Sequence, residues 1–259
     1  MTPPALRALL FDVDGTLAET ERDGHRPAYN ATFADFGLDW VWDEATYGEL
    51  LAVTGGKERL RFYLERYRPA EACRADLDEL IAAEYAAKTA RYQQLLASGA
   101  IGLRPGVRRL ITEAREAGVI LAVTTTTSPG NVTGLLEHAL APGSSEWFAV
   151  IAAGDVVPTK KPAPDIYLWA LAELGLSSDE CLVIEDSAVG LRAARAAGLA
   201  TVITVNDYTA EEDFAGAVAV LSDLGEPDAP ARRLDAPAEV VVDLDVLRAW
   251  HAAALLSGR

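Results

Sequence analysis

Four short polar clusters in the sequence carry the residue types that phosphate chemistry requires. They are Asp12-Val13-Asp14-Gly15-Thr16, the threonine run 124–127, Lys160-Lys161-Pro162 and Glu185-Asp186-Ser187. Carboxylates attack phosphorus, move protons or bind a cation, whereas lysine and threonine side chains bind phosphoryl oxygens. A single site that combined these clusters would suit a phosphorylated substrate.

The acidic residues of these clusters predict a divalent cation. Gly15 allows the chain to turn directly after the first pair, so that Asp12 and Asp14 reach the same strand tip. Glu185 and Asp186 would add carboxylates from a second tip, and such a group of acids repels itself strongly. A hard cation removes this repulsion, and all-oxygen ligands with open positions suit Mg²⁺. One carboxylate would then attack phosphorus and form an acyl-phosphate, and another would protonate the leaving oxygen.

Each cluster taken alone has an ordinary structural explanation. An Asp-Gly pair after a strand is commonly a turn, a threonine run is a polar strand end, and Lys-Lys-Pro is usually a solvated loop. Glu185 and Asp186 would also suit the N-terminus of a helix. A shared site is favoured because all four clusters follow predicted strands. Four independent coincidences of this kind are less probable than a single site that explains all of them.

The predicted strands alternate with predicted helices. Short apolar runs between turn residues predict strands at 5–11, 119–123, 148–152, 181–184 and 200–205. Helical spacing with proline or glycine at the ends predicts helices over 105–117, 164–174 and 189–197. This order indicates an α/β fold with a Rossmann-like parallel sheet, in which a ligand site lies beyond the carboxyl ends of the strands.

Residues of about 21–98 interrupt this alternation. They contain no clear strand and show helical spacing over Glu58–Arg68 and Asp76–Leu96. We interpret them as an inserted helical domain of residues 21–98, with residues 1–20 and 99–259 forming the core. The connections would lie near 18–22 and 97–103, and the Trp40 and Trp42 pair is assigned to the core of the insertion. A strand at 239–242, expected to extend the sheet, and a helix at 245–255 follow a proline-rich loop.

The composition restricts the class of protein. The chain has 259 residues, half of them apolar, with 39 acidic and 23 basic side chains and a formal net charge of −16. These are the proportions of a folded globular protein, and the acidity argues against binding to nucleic acid or to an anionic membrane. Two cysteines and three scattered histidines exclude a disulfide scaffold and a Cys- or His-rich metal site. With no signal-peptide pattern, membrane span or long apolar stripe, we expect a cytoplasmic monomer that binds a small molecule.

Together the four clusters resemble the motifs of the haloacid-dehalogenase-like (HAD) hydrolase superfamily, most of whose members are magnesium-dependent phosphatases. The third cluster continues as Lys161-Pro162-Ala163-Pro164-Asp165, which resembles the third motif of that family, and Gly190 completes the fourth. The resemblance covers nearly the whole chain. It includes the helical insertion, which lies where this family carries a four-helix cap.

The resemblance implies a role for each motif residue. Asp12 would be the nucleophile and Asp14 the general acid and base, with Lys161 and a threonine binding the phosphate. Mg²⁺ would be bound by Asp12, Glu185 and Asp186 and by the main-chain carbonyl of Asp14.

The threonine run leaves the second motif ambiguous by one residue. Thr125 matches best because residues 119–124 fill the predicted strand, and Thr124 stays an alternative. Thr126 is a further candidate for phosphate binding.

Within the superfamily, the sequence resembles the CbbY group of sugar-bisphosphate phosphatases. The segments that carry this likeness are LLFDVDGTLAETE, LAVTTTTSPGNV, KKPAPDIYLWAL and VIEDSAVGLRAARAAG. It implies xylulose 1,5-bisphosphate, an inhibitor of Rubisco in the Calvin–Benson cycle, as the substrate to be removed.

A bisphosphate needs a second cationic site away from the Mg²⁺. The segment Thr54-Gly55-Gly56-Lys57-Glu58-Arg59 is glycine-rich and basic, so its amides, Lys57 and Arg59 are candidates for the distal phosphate. Lys88 is another candidate, and Glu19 could accept hydrogen bonds from sugar hydroxyls. The alternative explanation for the three basic residues is exposed helix charge.

Three other functions compete with a phosphatase. A sugar phosphomutase, similar to the beta-phosphoglucomutases, would use the same site and pass the phosphoryl group back to a sugar. A non-catalytic phospho-receiver also carries carboxylates, Thr and Lys at strand ends, but is about half as long and lacks the insertion. A dehalogenase would need neither Asp14 nor a magnesium cluster.

Overall fold

Six parallel strands form the sheet that carries the four polar clusters. The computed structural model describes residues 4–53 and 55–257. The strands lie in the order β3-β2-β1-β4-β5-β6, with β1 at Ala8–Phe11, β2 at Ile120–Thr125, β3 at Phe148–Ala153, β4 at Cys181–Glu185, β5 at Ala200–Thr204 and β6 at Ala219–Leu221. Every residue of β1, β4 and β5 is buried, as expected for a parallel sheet covered on both faces. The predicted α/β fold is confirmed.

Ten α-helices are found in the described residues, and several of them begin or end at a glycine or a proline. The α-helices of the described residues are α1 (Arg26–Asp35), α2 (Glu44–Leu50), α3 (Gly56–Tyr67), α4 (Pro69–Ala72), α5 (Leu77–Ala97), α6 (Val107–Glu116), α7 (Pro129–Leu135), α8 (Asp165–Leu174), α9 (Ala188–Ala196) and α10 (Leu244–Ser257). The buried side chains of α6 recur at the spacing of one helix face. Helix α8 ends at Gly175 in the left-handed conformation (φ 63°), which glycine adopts without strain.

The C-terminal region differs from the expectation. The sixth strand of the main sheet is β6, which the sequence analysis missed because three residues are too few to show a strand period. The strand expected at 239–242 is β8 (Glu239–Val240), which pairs antiparallel with β7 (Ala231–Arg232) in a separate two-stranded sheet. The prediction that it extends the main sheet is therefore wrong. An exposed glutamate suits a surface ribbon better than a sheet that is buried on both faces.

The described chain divides into two compact units. One contains the residues up to Glu19 and from Gly102 onward, and the other is Thr20–Ile101. The second unit is helical and comprises a π-helical turn (Glu21–His25) and helices α1 to α5. The family resemblance implied four helices there, and the additional one is α4, a single turn that begins at Pro69.

Aromatic side chains form the core of the helical unit. Trp40 and Trp42 are buried, as predicted. The Trp42 ring lies 4.5 Å from that of Tyr29 and 5.0 Å from that of Phe33, centroid to centroid. The Trp40 ring lies 5.3 Å from the Phe33 ring, close to edge-on. Such contacts suit the aromatic quadrupole and bury large surfaces in a small unit.

A buried carboxylate lies on helix α5 of this unit. The side chain of Glu84 is fully buried, and neither of its oxygens has a hydrogen-bond partner among the described residues. Burial raises the pKa of Glu84 to about 7, and of the nearby charges Arg74 opposes this rise while Glu71 adds to it. The folded protein therefore keeps this carboxyl protonated in a pH range where the unfolded chain releases the proton.

We expect Glu84→Gln to stabilise the protein at pH 8 but not at pH 4. A carboxyl whose pKa is higher in the folded state lowers the free energy of unfolding as the pH rises from 4.5 towards 7. Glutamine removes this ionisation, so the gain above pH 7 is roughly 2–3 kcal/mol. Denaturant unfolding at several pH values measures it. Glu79→Gln, an exposed change on the same helix, is the control, and equal stabilities of Glu84→Gln and the parent at pH 8 would contradict the prediction.

No described helix combines the length and the apolar character that crossing a bilayer requires.

Candidate active site

The pairing register brings the polar clusters to one edge of the sheet. Strand β1 is central, and Phe11 lies opposite Val123 of β2 and Ile184 of β4. The next residues along these three strands are Asp12, Thr124 and Glu185. Asp12 follows β1, and Thr124 and Glu185 lie at the C-terminal ends of β2 and β4, so all three are at the carboxyl edge, where parallel sheets bind ligands.

Lys161 joins these three strand ends. Its Nζ donates to Asp12 Oδ1 at 2.8 Å, to the Thr124 carbonyl at 2.9 Å and to Glu185 Oε1 at 2.5 Å. An ammonium has three N–H donors, so all of them are used. The side chain is only 6% exposed, and a buried cation of this kind requires the paired charges that it has here.

The charged groups around Lys161 act strongly on one another. Burial raises the pKa of Asp12 to about 7, with Lys161 opposing the rise and Glu185 and Asp14 adding to it. Although burial also acts on Glu185, the Lys161 charge and its hydrogen bond keep the pKa of Glu185 below its usual value. Lys161 and Glu185 thus form an ion pair, and additional positive charge near Asp12 would favour its ionised, nucleophilic form.

Three buried carboxylates are placed to hold a metal ion. Ligand oxygens of Asp12, Glu185 and Asp186 lie within 4.8 Å of one another. Burial, followed by the charges of Glu185 and Asp12, raises the pKa of Asp186 well above its usual value. Asn206 Nδ2 donates to Asp186 Oδ2 at 2.6 Å and orients that carboxylate. Oxygen donors with mutual repulsion fit a hard divalent cation such as Mg²⁺. Within the described residues, the carboxyl of Asp14 is not part of this group.

The Glu185 carboxylate is already fixed by protein donors. Oε1 accepts from Lys161 and from the Tyr167 hydroxyl at 2.9 Å. Oε2 accepts from the main-chain N–H of Asp186 at 3.1 Å and from the amide and hydroxyl of Ser187. Because these bonds occupy both oxygens, Asp12 and Asp186 are better placed than Glu185 to bind a metal directly.

Gly15 allows the first cluster to approach the fourth. Its φ of 86° lies in the left-handed region, and a Cβ at this position would overlap the Asp186 carboxylate and the Asn206 amide. Any other residue would strain the turn and push it away from Asp186. The sequence analysis assigned Gly15 only the turn, and the close approach is visible only in the structure.

The threonines differ in their surroundings. Thr124 and Thr125 are buried, and Thr126 is half-buried. The Thr125 hydroxyl accepts from the main-chain N–H of Thr127 at 3.3 Å, whereas the Thr124 hydroxyl has no partner in the described residues. Thr125 is the last residue of β2, so both remain candidates for the second-motif residue.

The basic candidates of the helical unit are held in different ways. Arg59 donates to the Tyr47 hydroxyl at 2.7 Å and pairs with Glu21 at 3.4 Å. Lys88 lies 2.9 Å from the His25 ring nitrogen. Both basic side chains are buried, so the alternative of exposed helix charge is wrong for them.

The glycine-rich segment begins outside the described residues, because Thr54 is not among them. Lys57 is exposed and lies 5.5 Å above the Tyr85 ring. Gly55 has φ 100°, and the Gly56 carbonyl accepts from the Tyr29 hydroxyl at 3.1 Å.

Three residues near the site were missed from the sequence. Asn206 follows β5 at the same edge as the other clusters, so its position was a usable signal. Tyr167 lies on α8, and nothing in its surroundings along the chain distinguishes it from a core aromatic. Arg104 pairs through Nε with Glu19 Oε1 at 2.9 Å, across a sequence separation that no local pattern reveals.

Comparisons with known proteins show which family this chain belongs to. A family model described as haloacid dehalogenase-like hydrolase matches residues 6–198. Protein CbbY, plasmid, of Cupriavidus necator is 48% identical over 252 residues, which are 97% of this chain and 99% of that protein.

Solved structures extend the likeness to three dimensions. The crystal structure of a mutant CbbY from Rhodobacter sphaeroides in complex with xylulose-(1,5)bisphosphate is 49% identical with a TM-score of 0.76, covering 84% of this chain and 94% of that one. A beta-phosphoglucomutase from Clostridium difficile has a TM-score of 0.71 over 97% of this chain and 99% of that one. At 20% identity, the second likeness shows a common fold alone.

Proposed function

Because this chain belongs to the haloacid dehalogenase-like hydrolase family, we propose that it is a Mg²⁺-dependent phosphatase whose substrate is xylulose 1,5-bisphosphate. The observation that supports this reaction most directly is the position of Asp12. Its carboxylate accepts a hydrogen bond from Lys161 and lies in the same cluster of carboxylates as Asp186. The sugar is supported by the 49% identity to a CbbY whose structure contains this bisphosphate. Removal of this Rubisco inhibitor is the role that we assign to the reaction.

Two steps account for the hydrolysis. In the first, an Asp12 oxygen attacks phosphorus, the bond from phosphorus to the sugar oxygen breaks, and Asp14 donates a proton to that oxygen. In the second, Asp14 removes a proton from water, which attacks the aspartyl-phosphate. This step releases inorganic phosphate and restores the Asp12 carboxylate.

The remaining residues of the site bind and orient the phosphoryl group. Lys161 would exchange one of its present acceptors for a phosphoryl oxygen while Glu185 keeps it in place, and one of Thr124, Thr125 and Thr126 would donate to another. Asp12, Asp186 and the carbonyl of Asp14 would hold Mg²⁺, with Glu185 beside them. When bound, the cation neutralises charge that develops on the transferred group.

Phosphate release from three bisphosphates tests the proposal. We expect rapid release from xylulose 1,5-bisphosphate, and at least roughly 100-fold slower release from ribulose 1,5-bisphosphate and glucose 1,6-bisphosphate. A chelator should reduce the rate by at least about 100-fold, and added Mg²⁺ should restore it. Little release from any of them, with conversion of hexose phosphates when glucose 1,6-bisphosphate is added as primer, would favour a mutase instead.

The distal phosphate is proposed to bind to basic groups of the helical unit. Gly55, Gly56, Lys57, Arg59 and Lys88 are the candidates. Exposed Lys57 is the cleanest to test, because Lys57→Met removes a charge without disturbing a buried contact. The variant should raise KM for the bisphosphate by about tenfold and leave kcat nearly unchanged, which steady-state kinetics would measure. An unchanged KM would remove Lys57 from the set.

The cytoplasmic location and the monomeric state stay predictions from the sequence.

A further inference from the structure

Arg104 is a buried cation of the sheet-containing unit, with a side chain only 6% exposed. A guanidinium has five N–H donors, and here each has an acceptor. Nε pairs with Glu19 Oε1 at 2.9 Å. The two terminal nitrogens donate to four main-chain carbonyls, those of Gly15, Thr204, Val205 and Ser222.

These carbonyls anchor Arg104 to segments that already carry functional groups. Gly15 is the turn that directly follows Asp14, and Val205 precedes Asn206, which orients Asp186. The backbone supports the same arrangement, since Arg104 N donates to the Leu17 carbonyl at 2.9 Å and Leu103 pairs with Ala18. The guanidinium is therefore held rigidly from several directions.

Glu19 is the one carboxylate among these acceptors in the described part of the chain. Its side chain is 22% exposed, so it can be reached from solvent. An ion pair to a rigid, buried guanidinium restricts the rotamers that a partly exposed glutamate would otherwise sample. Arginine suits this position because lysine, with three donors and no planar fork, cannot satisfy the same five acceptors.

We propose that Arg104 is a positioning residue that holds the Glu19 carboxylate ready to accept hydrogen bonds from the sugar hydroxyls of the substrate. The inference rests on the proposed function, since it requires a sugar bisphosphate. Arg104 itself touches neither sugar nor phosphate. Its contribution is to fix the acceptor in advance, so that binding does not have to order it.

Binding measurements in the Asp12→Asn protein test this role without turnover. Calorimetry in the presence of Mg²⁺ gives the Kd of xylulose 1,5-bisphosphate and of inorganic phosphate. Arg104→Lys should raise the Kd of the bisphosphate roughly 30-fold. It should raise the Kd of inorganic phosphate by about threefold at most. Glu19→Gln should give a similar loss for the bisphosphate, and combining the two changes should add little, because both act on one interaction.

Arg109→Lys is the matched control. Arg109 also bonds three main-chain carbonyls and pairs with a carboxylate, Glu226. None of these bonds reaches Glu19 or Gly15. Arg109→Lys should therefore change the affinities for the bisphosphate and for inorganic phosphate by less than about twofold.

Three results would overturn the Arg104 assignment. They are an unchanged affinity for the bisphosphate in Arg104→Lys, equal losses for the two ligands, and additive losses in the double variant. If Arg104→Lys does not fold, Glu19→Gln keeps the assignment open to refutation, because it leaves the four carbonyl contacts of Arg104 in place. An unchanged bisphosphate affinity in Glu19→Gln would overturn the assignment. Failure of the parent Asp12→Asn protein to bind the bisphosphate at all would instead overturn the proposed substrate, and the positioning role with it.

Discussion

Asparagine in place of Asp12 should abolish turnover, with kcat reduced by a factor on the order of 10⁵. An amide oxygen is too weak a nucleophile to form the aspartyl-phosphate, so both steps of the reaction are lost. The remaining groups of the site still bind the phosphate but have no covalent route to release it. Phosphate release under substrate saturation measures the loss, and acid quenching should trap a phosphorylated enzyme only for the parent.

The fold should survive this substitution. Asparagine has nearly the same shape as aspartate, and its Oδ1 can still accept the hydrogen bond from Lys161 that Asp12 accepts at 2.8 Å. It also removes one of the three mutually repelling carboxylates. Unchanged thermal unfolding together with retained bisphosphate binding would separate lost chemistry from lost structure. A variant that kept more than about 1% of the parent kcat would show that another residue is the nucleophile.

Lys161→Met should damage both stability and catalysis. The change keeps the length of the side chain but leaves Asp12 and Glu185 buried without their cation, at a cost of roughly 3–5 kcal/mol in the free energy of unfolding. In the proposed reaction it also removes a donor to the phosphoryl oxygens, which should lower kcat by about 10²–10³. Denaturant unfolding and steady-state kinetics measure the two effects separately.

The neighbouring lysine provides the control for this change. Lys160 is half-buried and pairs at 2.7 Å with Asp155, whose side chain is exposed. Solvent screens such a pair, so Lys160→Met should change the free energy of unfolding by less than about 1 kcal/mol and leave kcat nearly unaltered. Similar losses in the two variants would mean that Lys161 has no special function in the site.

The sequence predicted the sheet well because its strands are strongly apolar and end at turn residues. For β2 to β5 the predicted bounds differ from the observed ones by no more than two residues. The predicted position of the site at the carboxyl edge rests on the same feature, since the carboxyl ends of neighbouring parallel strands lie at one edge of the sheet. By contrast, β6 and β7 have three and two residues and leave almost no periodic signal.

What the sequence could not provide is the pairing of charges across the fold. The sequence singled out Lys161 as a phosphate-binding candidate, but it did not reveal that this side chain is buried between Asp12 and Glu185 whereas Lys160 is not. The burial of Arg59 and Lys88 was equally invisible, because basic residues at helical spacing usually face solvent. The burial of a charged side chain depends on which distant segments pack against it. Those contacts cannot be read from a single sequence.

The central position of β1 has a consequence for how the protein folds. Strand β1 is made first during synthesis, but its partners are residues 120–123 and 181–184, so more than a hundred residues must follow before it can pair. The helical unit lies within one continuous stretch and uses closer contacts, so we expect it to fold earlier. Until β2 and β4 are made, the apolar run Ala8–Phe11 has no strand to pair with, and we expect it to be the part of the nascent sheet most prone to aggregation.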